Sequence, residues 1–183
     1  MKKESTAKYV LRLSLTLFLI TAVVAMCLAA VNTVTQPRIA KTKEMKAQAA
    51  IEAVLPGGGS PIEAFTDETG TVSKVYGSPK GYAIEVNPSG FNGPITMMVG
   101  VSKDGSVLGI SIVTQTETAG LGAVSAAKTG AGETFRGQYA GKSGSLAVKK
   151  DGGSIDAITG ATITSRAVTA GVNAALACAG AFN

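Results

Sequence analysis

Two segments rich in glycine, threonine and serine contain the side chains of this sequence that could take part in chemistry. The first, QTETAGLG, runs from Gln115 to Gly122 and places the carboxylate of Glu117 between two threonines. Gly120 and Gly122 let the backbone approach a ligand closely or adopt a positive φ, and the threonine hydroxyls add hydrogen-bond donors. The segment therefore fits one wall of a ligand site, although the same pattern is common at an ordinary junction between a strand and a loop.

The second segment, DAITGATITS, runs from Asp156 to Ser165 and brings three threonines and a serine to the start of a predicted C-terminal helix. Hydroxyl groups at that place are expected simply as N-caps. The free N–H groups of a helix N-terminus also attract anions, and Arg166 follows Thr162 by four residues on the same helical face. A phosphate group beside Thr162 would be well placed, so a cap and an anion site are both open interpretations.

The composition excludes several kinds of active site. The 183-residue chain has no histidine, so a Ser-His-Asp relay, an HExxH zinc site and a histidine-ligated haem are ruled out. Cys27 and Cys178 are too few for an iron–sulfur cluster or a structural zinc and are interpreted as small buried hydrophobes. The GxxxxGK[ST] phosphate loop does not occur, and the net charge of +5 is spread without interleaved aromatic residues. We therefore expect no catalytic side chain, no metal site and no nucleic-acid binding, and a borrowed cofactor is the simplest source of reactivity.

An uncharged apolar run from Leu13 to Val31 precedes both segments. At about 1.5 Å per residue it spans roughly 28 Å, close to the hydrocarbon thickness of a bilayer, and we predict a transmembrane helix over residues 13–35. A cleaved signal peptide is the alternative, but its apolar stretch is usually only about 7–15 residues long. Basic residues stand on both sides of the run, so the positive-inside rule does not fix its orientation.

The rest of the chain predicts an α+β fold: a small antiparallel sheet with packed helices, preceded by the one N-terminal transmembrane helix. Residues 36–60 read as a juxtamembrane helix that ends before Pro56, followed by a glycine-rich linker, and residues 61–183 as the compact domain. The predicted strands are 75–76, 82–86, 95–101 and 107–114, with a Lys-Asp-Gly turn at 103–105 and one more strand over 146–148. The last helix, 164–182, is expected to lie on the sheet.

Together these features resemble a known family. Asp156-x-x-Thr159-Gly160-Ala161-Thr162 is similar to the flavinylation motif Dxx[ST]GA[ST], whose last residue receives FMN through a phosphoester bond made by a dedicated flavin transferase. The order of segments along nearly the whole chain resembles the G subunit of the Rnf complex and, more distantly, the C subunit of the sodium-pumping NADH:quinone reductase. The family usually reads ETPGLG, whereas position 119 is alanine here, and losing proline's fixed φ should loosen that turn.

The resemblance implies a set of site residues. Thr162 would be the covalent FMN site, and Asp156, Thr159, Gly160 and Ala161 would be the pattern that the transferase reads. The resemblance further implies that the isoalloxazine ring is lined by Glu117, Thr118, Leu121 and Gly122. We expect the phosphate to lie near Arg166. Tyr139 is a weaker candidate for ring contact, and its alternative is a core aromatic residue.

The resemblance also implies a function. The chain would be a membrane-anchored flavoprotein subunit that relays electrons within an Rnf-type ferredoxin:NAD⁺ oxidoreductase coupled to Na⁺ or H⁺ translocation, with the other membrane subunits as its partners. Residues 1–12 would be cytoplasmic, and the domain from residue 61 would face the outside of the inner membrane. The alternative is a stand-alone extracytoplasmic flavinylated electron carrier. A third, non-redox alternative is an anchored binding domain in which TGATITS merely caps a helix.

Overall fold

The computed structural model describes residues 6–62, 70–128 and 130–182. They form a long helix α1 (Thr6–Val54), a five-stranded sheet and the helices α2 (Ala131–Gly137) and α3 (Thr162–Gly180). The strands are β1 (Ser60–Ile62), β2 (Val72–Ser78), β3 (Gly81–Val86), β4 (Thr96–Ser102) and β5 (Val107–Thr114), and short 3₁₀ helices lie at Gly122–Ala126 and Lys149–Asp151. The predicted α+β class is confirmed. The chain divides into two compact units, one up to Met45 and one from Lys46 onward.

The first unit is α1 up to Met45. It contains a stretch that is long and apolar enough to cross a membrane, and no residue across the most apolar part of that stretch is buried. Threonine hydroxyls in this part bond to backbone carbonyls of the preceding turn, as Thr16 does to Arg12 at 2.8 Å and Thr21 to Leu17 at 3.0 Å. These bonds satisfy the hydroxyls without water, as an apolar surrounding requires. Cys27 is exposed here, so its predicted burial is wrong, because this stretch of helix is not covered by protein.

The predicted transmembrane and juxtamembrane helices form one continuous helix. Pro37 lies inside it and removes one backbone donor. Strong helix formers such as the lysines, glutamate and alanines of residues 41–50 continue the helix beyond it. The helix ends at Val54, just before Pro56 and Gly57, whose φ of 99° no helix allows.

In the second unit the strands form an antiparallel meander in the order β1-β2-β3-β4-β5. Helix α3 covers one face of the sheet and builds the main core, to which its residues Val168, Val172 and Ala175 contribute. The last turns of α1 cover the opposite face. The residues of this second cluster are Ala50, Ile51, Val54, Leu55, Ala83 and Met98. Because both faces are covered, β3 and β4 are buried along almost their whole length instead of alternating.

The structure departs from the predicted elements in several places, and β1 is a strand that was not predicted. The strand predicted over 146–148 is wrong, since Val148 makes only an isolated bridge to Ile155 before the chain turns at Gly152 (φ 84°). Helix α2 lies in a segment for which no element was predicted. The second unit begins at Lys46 and not at residue 61, because the end of α1 is part of its core. The Lys-Asp-Gly hairpin and the placement of the last helix on the sheet are confirmed.

Gly100 in β4 tests the packing of α1 on the sheet. A Cβ atom at this position would lie 3.0 Å from the carbonyl carbon and from the Cβ of Val54 and closer still to its carbonyl oxygen. We expect Gly100→Ala to lower the free energy of unfolding by about 1–3 kcal/mol, because rigid backbone would have to move. The measurement is urea unfolding of the full-length chain in mild detergent, followed by near-ultraviolet circular dichroism.

Gly109 is the matched control, because it is the direct partner of Gly100 in β5 and a Cβ there meets nothing within 4 Å. Gly109→Ala should leave stability unchanged or slightly raised. Equal stability of the two alanine variants would contradict the close packing of α1 against β4.

Candidate functional site

A cleft of about 390 Å³ opens where two loops meet the start of α3, within the common size range of ligand sites, roughly 300–1,000 Å³. One loop follows β3, the other follows β5, and the 3₁₀ helix at Lys149–Asp151 adds one side chain. The lining residues are Phe91, Glu117, Thr118, Leu121, Gly122, Lys150, Gly160, Ala161, Thr162, Ile163 and Thr164. All predicted cofactor-binding residues except Thr159 and Arg166 are among them.

Glu117 connects the three segments that form the cleft. Its Oε1 accepts hydrogen bonds from the backbone N–H groups of Phe91 and Asn92, both at 2.9 Å, and its Oε2 accepts one from the hydroxyl of Thr164. The residue is 7% exposed. A Cβ atom at Gly90 or at Gly122 would lie 2.6 Å from one of its carboxylate oxygens. The two glycines therefore leave the space that the carboxylate fills.

The start of α3 presents Thr162 to the cleft. The N-cap is Ala161, and no side chain caps the helix, so the interpretation of the threonines as caps is wrong. Ser165 instead holds the turn before the helix, since its Oγ accepts a bond from the N–H of Ile158 at 3.0 Å and donates one to the carbonyl of Ala161 at 2.9 Å. The Thr162 hydroxyl is thus not used as a cap, and the residue is half-buried at the cleft wall.

The cation that reaches Thr162 is Lys150, whose Nζ donates to its Oγ1 at 3.3 Å. Arg166, predicted for this place, forms a bidentate ion pair with Asp151 instead, with N···O distances of 2.7 and 2.5 Å. This pair lowers the pKa of the Asp151 carboxyl and raises the pKa of the guanidinium. The N–H groups in the first turn of α3 have no hydrogen-bond acceptor within the helix, and their positive potential adds to that of Lys150. The surroundings of the Thr162 hydroxyl therefore suit an anion.

The first half of the Dxx[ST]GA[ST] motif lies away from this cleft. Asp156 and Thr159 line a separate, more open cleft beside α2. The backbone of Asp156 is held by the side chain of Gln138, through bonds of 2.7 and 3.1 Å, and its carboxylate pairs with Lys149 at 2.7 Å. Both motif residues are exposed, so this half of the motif is accessible from solvent.

Tyr139 belongs to the core and not to the cleft. It is fully buried, and its hydroxyl bonds to that of Thr169 at 2.7 Å. Burial raises the pKa of Tyr139 to about 12. The interpretation as a core aromatic residue is confirmed.

Four cleft residues were not predicted from the sequence: Phe91, Lys150, Ile163 and Thr164. Phe91 and Ile163 are 64% and 51% exposed and, with Leu121 at 43%, form an apolar rim. A phenylalanine within the turn sequence Ser-Gly-Phe-Asn-Gly is a signal that could have been noticed, because glycine and small polar residues dominate turns. Lys150 gave no such signal, since two lysines before Asp-Gly-Gly are typical of a solvated turn.

No group of three or more His, Cys, Asp or Glu residues within 6–62, 70–128 and 130–182 could hold a metal ion. The cleft is instead built of hydroxyls, glycines, one buried carboxylate, one lysine and an apolar rim. Such a site suits an organic ligand with a flat apolar part and an anionic end.

The FMN-binding domain family matches residues 90–177, a range that includes every lining residue of the cleft. The G subunit of the Na⁺-translocating ferredoxin:NAD⁺ oxidoreductase complex of Acetobacterium woodii is 36% identical, and the alignment covers 91% of this chain and 89% of that protein. The G subunit of the ion-translocating oxidoreductase complex of Pseudomonas aeruginosa is 32% identical, over 94% and 89% of the two chains. That of Methanosarcina acetivorans is 30% identical, over 94% and 95%.

Replacing Glu117 should release the loop after β3. In Glu117→Leu the N–H groups of Phe91 and Asn92 lose their acceptor, and we expect about 1–3 kcal/mol of lost stability together with at least about tenfold faster amide exchange at these two residues. Hydrogen exchange measured by mass spectrometry or NMR reports both amides.

Glu117→Gln is the conservative control. The carbonyl oxygen of glutamine can still accept from both amides, and its NH₂ group can donate to the Thr164 hydroxyl, so exchange should stay near the wild-type rate. If exchange at Phe91 and Asn92 is unchanged in Glu117→Leu, Glu117 does not hold this loop.

Proposed function

The chain belongs to the family of G subunits of ion-translocating, Rnf-type oxidoreductase complexes and carries an FMN-binding domain, and from this premise we propose that it holds FMN covalently on Thr162. The observation that carries the proposal is the position of the Thr162 hydroxyl. It lies in the cleft at the N-terminus of α3, is not used as a cap, and accepts a hydrogen bond from Lys150. We call this site the flavin cleft.

The residues of the flavin cleft fit the two chemically different ends of FMN. The N-terminus of α3 and Lys150 would hold the phosphate, which keeps a negative charge as a phosphoester. The apolar rim of Phe91, Leu121 and Ile163 offers surface on which a flat ring can pack. At Gly160 (φ 74°) a Cβ would lie 2.9 Å from the side chain of Leu121, so glycine leaves this wall open. FMN supplies one- and two-electron transfer when bound.

The motif residues outside the flavin cleft suit maturation by a flavin transferase. Asp156 and Thr159 are exposed and line the neighbouring cleft beside α2. A transferase could therefore contact this half of the motif while Thr162 faces its substrate. The backbone at Asp156 is already fixed by Gln138, so little order would have to be imposed on binding.

In the proposed role the protein is an electron-transfer subunit anchored in the cell membrane by α1, with the flavin domain on the extracytoplasmic side. It works together with the other membrane subunits of a ferredoxin:NAD⁺ oxidoreductase coupled to Na⁺ or H⁺ movement, as the names of the relatives suggest. Its own side chains position the cofactor. None of them is needed as an acid, base or nucleophile during electron transfer.

Thr162→Val tests the attachment. Full-length protein co-expressed with a flavin transferase should give a fluorescent band on a denaturing gel under ultraviolet light, and Thr162→Val should give none. The variant should stay folded, within about 0.5 kcal/mol, because Thr162 provides no helix cap. Thr114→Val, at an exposed threonine outside the flavin cleft, is the control and should fluoresce like the wild type. A dark wild-type band, or a fluorescent Thr162→Val band, refutes the covalent site.

Lys150→Gln tests which cation stabilises the phosphate at Thr162. In loading, Thr162 Oγ1 would bond to the FMN phosphorus as the transferase breaks the phosphoanhydride bond of a flavin dinucleotide donor; the nucleoside monophosphate leaves and the transferase takes the hydroxyl proton. The phosphoester brings a negative charge next to Lys150 Nζ, so under limiting transferase we expect loading of the variant to be several-fold slower, for a loss of about 1 kcal/mol. The measurement is the rise of gel fluorescence with time. In Arg166→Gln, loading should stay near the wild-type rate because the guanidinium is engaged by Asp151. The opposite ranking of the two variants would favour the sequence-based expectation for Arg166.

A further inference from the structure

A second groove in the domain is separate from the flavin cleft. It has a volume of about 560 Å³ and runs along β5, between the end of α1 and a side formed by Ala126, Lys128 and Arg136. Its lining residues are Lys46, Ala49, Ala50, Ala53, Ile110, Ser111, Ile112, Val113, Ala126, Lys128 and Arg136. None of them lines the flavin cleft. We call it the β5 groove.

The β5 groove contains the outer edge of the sheet, and α2 and the 3₁₀ helix at Gly122–Ala126 contact part of β5. Strand β5 is the last in the sheet order and pairs with β4 on one side only. Its first residue, Val107, is covered on the outer side by backbone bonds to Gly141 and Lys142, both 2.8 Å. From Ile110 to Val113, no strand within the described ranges lies beside it. This strip is roughly 13 Å long, enough to pair with a short added strand.

The β5 groove is also positively charged. Lys46, Lys128 and Arg136 line it, and none of the three forms an ion pair with a carboxylate of the described residues. The guanidinium of Arg136 also donates a hydrogen bond to the backbone carbonyl of Ser125. The carboxylate of Glu133 interacts electrostatically with Arg136 without forming an ion pair. On the α1 side the wall consists of Ala49, Ala50 and Ala53, whose small side chains leave room for another chain.

We propose that the β5 groove receives an extended, acidic segment of another subunit of the complex, which adds to the sheet as a sixth strand. Backbone bonds along β5 supply the pairing, and the three cations select acidic side chains. A second copy of this chain is disfavoured, because β5-to-β5 pairing would bring two sets of the same cations together. The inference rests on the proposed function only in taking the chain to be one subunit of a complex.

Charge reversal tests the electrostatic part. The experiment uses the full-length chain purified from membranes in mild detergent, with the amount of co-purifying subunits measured per amount of this chain by quantitative mass spectrometry. Lys46→Glu with Lys128→Glu should lower co-purification about tenfold or more. The control, Lys74→Glu with Lys103→Glu, changes two exposed lysines outside the groove and should retain it. Equal co-purification in both double variants overturns the proposal.

The same measurement distinguishes a failure of the β5 groove proposal from a failure of the proposed function. If the wild-type chain comes out of mild detergent alone, it is a stand-alone carrier and its role within a complex fails. If the wild type co-purifies and the groove variant does so equally well, only the β5 groove is refuted. Near-ultraviolet circular dichroism of each purified variant reports that the domain has folded.

Photocrosslinking tests the occupant. Benzoylphenylalanine in place of Ala49, an exposed residue of the groove wall, should crosslink to an acidic peptide of a co-purifying subunit, identified by mass spectrometry. The same group in place of Gln48, exposed but outside the groove, should give no such product. A crosslink to phospholipid or to a second copy of this chain would refute an acidic partner segment. A crosslinking yield at position 49 no higher than that at position 48 would refute it as well.

Discussion

The flavin cleft depends on one buried carboxylate. Glu117 is held by two backbone amides of the loop after β3 and by a hydroxyl on α3, and it lies in the space left by Gly90 and Gly122. A buried charge is tolerated only when its hydrogen-bonding capacity is met. The same three bonds that make the burial possible also bring together the three walls of the site. The site is therefore positioned by a residue that the proposed electron transfer does not itself require.

The two faces of the sheet are covered by different helices, α3 on one face and the end of α1 on the other. Helix α3 packs on one face through Val168, Val172 and Ala175, and this packing fixes its N-terminus and hence Thr162. The last turns of α1 pack on the other face over Ala83 and Met98. Because these turns are part of the core, the glycine-rich stretch after Val54 lies within the domain. It leads the chain to β1 and is not the linker between an anchor and a domain that its composition predicts.

The sequence predicts the parts of the fold that repeat a local pattern. Short apolar segments and turn residues were enough for β3, β4, β5 and the hairpin between the last two, and helical periodicity was enough for α3. The burial of Leu55 against the sheet could not be predicted, because it depends on where distant strands place their surface. In the site, motif residues such as Thr162 were found because their order is distinctive. The sequence did not predict that Lys150, and not Arg166, is the cation beside Thr162. Arg166 is held by Asp151, fifteen positions earlier in the chain, and the turn that brings the two together cannot be read from the sequence.

A covalent bond to FMN, as proposed, suits a cleft that is as open to solvent as this one. The apolar rim consists of residues between 43% and 64% exposed, so a ring packed on it would lose only part of its contact with water, and the affinity gained from burial would be limited. Noncovalent occupancy would then depend on the concentration of free flavin, whereas a phosphoester at Thr162 removes that dependence. An open rim also leaves the ring accessible to a neighbouring redox centre. The domain can thus keep a shallow site, which electron exchange favours, because its cofactor would be retained by a bond to α3 and not by enclosure.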